Sequence, residues 1–119
     1  MANLEQLLIE NPVIAAIRNE KDLEEVIHSK VLIVFVLYGS IMNIKKISEK
    51  LKEAGKVVFI HVDLIDGLKG DYAGLLFIKQ CGDPYGIIST RPTNIKNGKK
   101  LGLCAIQKIG RASCRERVS

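Results

Sequence analysis

Two apolar runs set the terms for this chain. Val31–Leu37 (VLIVFVL) is unbroken, and Val57–Ile60 (VVFI) is continued by Val62 and Leu64 with His61 and Asp63 interposed. Runs of this length, the second bounded by Gly55 and Gly67, are strands buried on both faces. Segments of helical period lie between such runs. Leu23, Val26 and Ile27 form a stripe after Asn19, and Ile44, Ile47 and Leu51 recur after Asn43. Leu75 and Ile78, with Tyr72, follow Asp71, and a fourth helix is capped by Thr93 and runs through Leu101 to a stop at Gly102. Asn19, Asn43 and Asp71 are the other N-caps, with Asp22 as a capping-box acid, and Gly55 is a left-handed helix stop.

Strands therefore begin near residues 13, 31, 57, 86 and 103, each followed by a helix-period segment. This alternation gives an α/β fold with a parallel sheet and right-handed crossovers. Leu4, Leu7 and Leu8 mark a short amphipathic helix ahead of the first strand, broken at Asn11-Pro12; in a barrel it would cover the lower mouth. Period alone leaves an open doubly wound sheet and a barrel equally possible. No GxGxxG or GxxxxGK occurs, which removes the commonest nucleotide-binding versions of either.

The end of the chain breaks this pattern. Gly110–Ser119 (GRASCRERVS) has no strand or helix period, and IGRASCRERV is what a common sequencing-adapter sequence encodes in one reading frame. Residues 109–119 are set aside as an artefactual, disordered tail, and residues 1–108 are expected to be the N-terminal part of a longer protein. The whole chain is net +5; without the three arginines and one glutamate of the tail, fifteen basic and twelve acidic residues leave +3. That balance does not demand a nucleic acid partner. Aromatic content of 5% with no Trp argues against a base-stacking surface. Cys81 and Cys104 lack metal spacing and read as small buried hydrophobes, so no oxidising compartment is indicated. No apolar run of about 18 residues spans a membrane, and the N-terminus lacks a basic signal-peptide region. A cytoplasmic location is expected.

His61 and Asp63, two apart on one strand, should share a side at its C-terminal end, where α/β folds place ligand contacts. The strand ends in order supply Arg18, Tyr38, His61, Asp63, Asp66, Ser89, Thr90, Arg91, Gln107 and Lys108. This ring of mixed charge and hydrogen-bonding groups suits a small phosphorylated polyol, since arginine matches phosphate and carboxylates and amides match hydroxyls. Each has a plainer role as well. Arg18 is placed to pair with Asp63, Asp66 to organise the turn at Gly67, and Ser89 and Thr90 to tie the loop before Pro92. Lys45, Lys46, Lys50, Lys52 and Lys56 lie on or just after the second crossover helix and Lys96, Lys99 and Lys100 on the fourth. Lysine clusters track phosphates but are commonly solvated helix faces.

The stretch HVDLIDGL at His61–Leu68, followed by GIISTRPTNIKNGKKLGLCAIQK at Gly86–Lys108 and preceded by NPVIAAIR at Asn11–Arg18, resembles the glycerol uptake operon antiterminator regulatory proteins of bacteria. The resemblance implies a partial TIM-like barrel of about four βα units plus a fifth strand. It implies a regulator rather than an enzyme: a transcription antiterminator of glycerol metabolism that binds glycerol 3-phosphate and leader mRNA and promotes read-through of a terminator. No cofactor is implied beyond that effector, no metal and no membrane; homo-oligomerisation is left open. Arg18, His61, Asp63, Ser89, Thr90, Arg91 and Gln107 would contact ligand, and Lys45, Lys46, Lys50, Lys96, Lys99 and Lys100 RNA. The phosphate cradle of such barrels usually lies after strands seven and eight, outside this chain. Tyr85, Asn94 and Gly98 depart from the family pattern, the last weakening its helix by about 1 kcal/mol relative to Ala.

Two other readings compete. One is a TIM-barrel enzyme acting on a small phosphorylated polyol or sugar, with Asp63 or His61 as general acid or base. The other is an inert truncated product. Five strands cannot close a barrel, so two apolar parallel edges are expected to be open and the polypeptide to be poorly soluble or partly folded.

Overall fold

A computed structural model describes residues 4–108 and the backbone of residues 116–118. The elements are α1 (Leu4–Glu10), β1 (Ile14–Ile17), α2 (Glu20–Ile27), β2 (Ile33–Val36), α3 (Ile44–Glu53), β3 (Val57–His61), α4 (Tyr72–Cys81), β4 (Gly86–Ser89), α5 (Pro92–Lys100), β5 (Cys104–Lys108) and β6 (Glu116–Val118), with a 3-10 turn over Val62–Leu64. The strands form one sheet in sequential order, β1 to β5 parallel and β6 antiparallel to β5.

Side-chain alternation sorts the sheet into two faces. Val34, Val36, Val58, Ile60, Ile87 and Ala105 form the outer face, packed against Leu23 and Val26 of α2, Ile44, Ile47 and Leu51 of α3, Leu75 and Ile78 of α4, and Ile95 of α5. Ile33, Phe35, Phe59, Ile88 and Ile106 form the inner face. All four crossover helices thus lie on one side of a sheet whose order never reverses. A doubly wound sheet needs a reversal and helices on both sides, so the arrangement is that of a barrel wall. The aromatic rings of Phe35, Phe59 and Tyr85 pack edge to face along the inner side, with centroids 5.5 and 5.4 Å apart. Leu4, Leu7 and Leu8 of α1 join this inner cluster beside Leu32, Val57, Tyr85 and Cys104, which precede or open the strands. The helix therefore covers the lower mouth, leaving the strand C-terminal ends as the upper one.

The local signals hold in part. Asn19 accepts from the Asp22 amide at 2.8 Å and Asp71 from the Gly74 amide at 2.8 Å, as N-caps should. Asp22 returns its bond to the Arg18 amide rather than to Asn19, one residue off a true capping box. The Asn43 side chain makes no cap hydrogen bond to its helix; its Oδ1 turns back to accept from the Ser40 amide at 2.8 Å. The fourth crossover helix starts at Pro92 with Arg91 as N-cap, not at Thr93, because proline at the first helical position sacrifices no hydrogen bond. Tyr72 is 45% exposed rather than buried, and both cysteines are only half-buried. Gly98 does more than weaken α5: a Cβ there would stand 2.7 Å from Ile87 Cδ1, so the glycine lets the helix close onto β4.

The sheet edges differ from expectation. Among the described residues β1 is an open edge, but β5 is paired with β6. Residues 116–118 fall in the stretch set aside as a disordered tail; an unpaired strand edge offers backbone groups that a nearby segment satisfies. The rest of that stretch lies outside the described residues.

Candidate functional site

The upper mouth is built where β3 and β4 end. Strand β3 stops at His61, and the 3-10 turn over Val62–Leu64 redirects Asp63. His61 and Asp63 therefore do not share a strand face, because the extended conformation that alternation presumes ends between them. Asp63 turns toward the end of β4. Its Oδ1 accepts from Ser89 Oγ at 2.7 Å and Asn94 Nδ2 at 3.2 Å; its Oδ2 accepts from the Thr90 amide at 2.8 Å and Thr90 Oγ1 at 2.9 Å. Burial alone would raise its pKa, but these donors and His61 together hold it below its ordinary value.

Ser89 is fully buried and central to the same network. Its Oγ accepts from the Arg91 amide at 3.0 Å and from Asn94 Nδ2 at 3.2 Å. Asn94, 1% exposed in the first turn of α5, joins both neighbours while its Oδ1 has no partner among the described residues. Asn94 is the site residue that sequence reasoning missed. Its signal was a polar side chain at an otherwise apolar helix position, noted only as a departure from the family pattern. The network ties the turn after β3 to the first turn of α5.

His61 has the opposite environment. Its register partner on the inner face is Ile88, and it is 4% exposed with Nδ1 unpartnered among the described residues. Burial lowers its pKa, Asp63 partly opposes this, and Lys108 adds to the lowering, so the imidazole is neutral near pH 7. Lys108 follows Ile106 by two on β5 and so falls on the inner face near its end. Thr90 and Arg18 lie just past the ends of β4 and β1 and are exposed. The upper end of the inner face thus carries an open imidazole nitrogen and the Lys108 cation, with Thr90 and Arg18 exposed at the neighbouring strand ends.

The remaining predicted residues are placed elsewhere. Gln107 alternates with Ile106 and falls on the outer-face side of β5, in register with Ser89. Arg91 is exposed and its guanidinium lies across Gly70, with Nη1 2.9 Å from where a Cβ would stand. No ion pair joins Arg18 to Asp63 among the described residues. Tyr38 packs with the outer core, and burial of its hydroxyl, then the neighbouring Glu20 and Asp22 carboxylates, push its pKa up to about 12. Asp66 uses its backbone, pairing with Gly39 and Ile41 to join the loops after β2 and β3. Lys50 sits 3.8 Å from Glu24, and Lys52 3.1 Å from Asp83. Among the described residues no group of three or more His, Cys, Asp or Glu is arranged to hold a metal ion, and no helix is long and apolar enough to cross a membrane.

Residues 13–110 match the family described as glycerol-3-phosphate responsive antiterminators. The chain is 39% identical over 103 residues to the uncharacterized protein YgcP of Escherichia coli (strain K12), covering 87% of this chain and 54% of that one. The glycerol uptake operon antiterminator regulatory protein of Listeria monocytogenes has a similar structure, with a TM-score of 0.78 and 33% identity over 82% of this chain and 53% of that one. A glycerol uptake operon antiterminator-related protein of Thermotoga maritima gives a TM-score of 0.71 and 34% identity over 79% of this chain and 52% of that one. The chain spans about half the length of each of these relatives.

Proposed function

The chain belongs to the glycerol-3-phosphate responsive antiterminator family, and on that premise we propose that it acts as a cytoplasmic, effector-controlled RNA-binding regulator of glycerol catabolism. Glycerol 3-phosphate enters the upper mouth of the inner face, and leader mRNA is the partner whose terminator is read through. The observation that carries the reading is His61. A buried, neutral imidazole with an open Nδ1 is an unmet acceptor or donor at a strand end, and a polyol hydroxyl meets it. Lys108, Thr90 and Arg18, along the same mouth, supply charge and hydrogen bonds to the remainder of an anionic polyol. No resident cofactor is needed for this chemistry.

The enzyme reading asks Asp63 to take a proton from substrate. Asp63 instead spends both oxygens on protein donors and is held in its charged form, which suits a structural tie. The Asp63 network supports a route from ligand to RNA. Thr90 sits at the mouth and, through Asp63, Ser89 and Asn94, is tied to the first turn of α5. An effector that binds one arrangement of this loop more tightly shifts the population toward it.

The test is binding of the leader transcript of the glycerol uptake operon from the protein's own genome, with and without glycerol 3-phosphate, across salt concentrations. Effector should tighten RNA binding by at least about fivefold, and RNA should tighten effector binding by the same factor. Equal RNA affinity with and without effector, or turnover of the phosphate ester, would overturn the reading.

A further inference from the structure

Within residues 1–108 the net positive charge is carried by one structural unit. Residues 1–83 hold ten Lys and Arg against twelve Asp and Glu, a net charge of −2. Residues 84–108, which supply β4, α5 and β5, hold five basic residues (Arg91, Lys96, Lys99, Lys100 and Lys108) and no acidic one. Lys96, Lys99 and Lys100 stand at i, i+3 and i+4 of α5, on one exposed helical face, and Arg91 is exposed at its N-cap.

Helix α3 shows what a solvated lysine-rich face looks like in this protein. It carries Lys45, Lys46, Lys50 and Lys52, but Glu49 and Glu53 are interleaved with them. Lys50 and Lys52 reach Glu24 and Asp83 on neighbouring elements, and Lys56 just beyond is bound to the Ser29 and Val31 carbonyls at 2.8 and 2.6 Å; Lys45 and Lys46 have no ion-pair partner among the described residues but stand four and three residues before Glu49. On α5 no lysine has an ion-pair partner among the described residues. The adjacent helix α4 offers none either: its one charged residue is Lys79, which pairs with Asp83. The helix dipole favours Lys99 and Lys100 in the last turn, but not Lys96 near the middle. Like charges at this spacing repel one another, a cost that a polyanion reverses.

We propose that the exposed face of α5, with Lys96, Lys99 and Lys100 and flanked by Arg91, is the surface that contacts the RNA phosphate backbone, and that α3 is not. This rests on the RNA-binding reading above and selects between its two lysine clusters. It also puts the RNA surface on the helix whose first turn is held by the Asp63 network, so the mouth and the RNA surface share one element.

Two triple variants decide it: Lys96→Gln with Lys99→Gln and Lys100→Gln, and Lys45→Gln with Lys46→Gln and Lys50→Gln. Each is titrated with the leader transcript from 0.05 to about 0.3 M salt, a range in which counterion release is measurable, after a thermal melt by circular dichroism. Losing three single-strand phosphate contacts at about 0.7 released ions each should weaken binding roughly 50-fold at 0.15 M salt and lower the salt slope by about 2. The α3 triple should change binding by less than about threefold, and replacing the α5 lysines by arginine should retain it. A larger loss from the α3 triple, or an unchanged salt slope in the α5 triple, overturns the assignment while leaving RNA binding itself in place. Absence of RNA binding by the unmodified protein at every salt concentration overturns the underlying reading and the assignment with it.

Discussion

The two faces of the sheet are made from the same strands and end in different states. On the outer face Val34, Val36, Ile60, Ile87 and Ala105 are fully buried under four helices, each of which brings a matching apolar stripe. On the inner face the same strands bring Ile33, Phe35, Phe59, Ile88 and Ile106, which are buried too, but among the described residues the covering helix is α1 at the lower end, and Ile14 at the β1 edge remains 36% exposed. At the upper end the apolar layer gives way to His61 and Lys108. The outer face is covered by helices along its whole length, and the inner face ends in polar groups at its upper end. Polar groups follow the same division. Asp63, turned toward α5, has four donors, whereas His61, left on the inner face, has an unpartnered nitrogen.

The sharpest way to break this comparison is to truncate one side chain on each face. Leu75→Ala removes a fully buried α4 residue from a layer with no slack and should cost about 3–4 kcal/mol. Ile14→Ala, at the open inner edge, should cost less than about 1 kcal/mol because part of that surface is already wet. Urea midpoints of the two variants give the ratio directly. Comparable losses would mean that the inner face is as tightly covered as the outer one.

Asp63→Asn comes next, at about 2–3 kcal/mol. The amide cannot accept from all four donors as the carboxylate does, and buried Ser89 and Asn94 lose a charged acceptor. Its pKa lies below the ordinary 3.8 in the folded state, so its contribution is present above that value and fades as pH falls through the folded pKa. Acid titration of stability should therefore lose its steepest part below about pH 4 in the variant. An unchanged acid limb would show that the network carries no such stabilisation.

Gly98→Ala tests the outer face from the helix side. A free helix would gain about 1 kcal/mol from this change. Here the new methyl meets Ile87, itself fully buried, so overpacking of about 1–3 kcal/mol should outweigh the gain and leave the protein less stable by roughly 1 kcal/mol. A raised melting temperature would mean that Ile87 and α5 shift apart freely.

The same division decides what could be read from the residues alone. The outer face was legible because its signal is periodic and local: of the helix stripes, Leu23, Val26, Ile44, Ile47, Leu51, Leu75 and Ile78 are buried there, while Ile27 is half-buried and Tyr72 exposed. The choice of barrel wall over doubly wound sheet was not, since period does not say on which side a crossover passes. The site was less legible still. Alternation put His61 and Asp63 on one side, but the turn at Val62 is held by donors 26 to 31 residues away, which no local pattern reveals. Asn94 was passed over for the same reason. Proline at the first position of α5 was a local rule, and it outranks the cap assigned to Thr93.

His61→Phe is the smallest expected change in stability and the most informative about function. An aromatic ring of similar breadth replaces a buried side chain whose Nδ1 has no partner, so stability at pH 7 should move by less than about 1 kcal/mol. The pH dependence should change more. The His61 pKa is lowered from 6.5 by folding, so between 6.5 and its folded value the unfolded chain binds the extra proton. Stability from this group is full above 6.5 and is lost as pH falls through the folded pKa. That slope should vanish in His61→Phe and persist in Asp63→Asn, whose window lies lower. Leader RNA should still bind the Phe variant, since α5 is untouched, but glycerol 3-phosphate should no longer tighten it. A loss of more than about 2 kcal/mol would instead class His61 with the structural core. The inner face would then be a second packed layer rather than a mouth, and the effector would have to be sought elsewhere on the molecule.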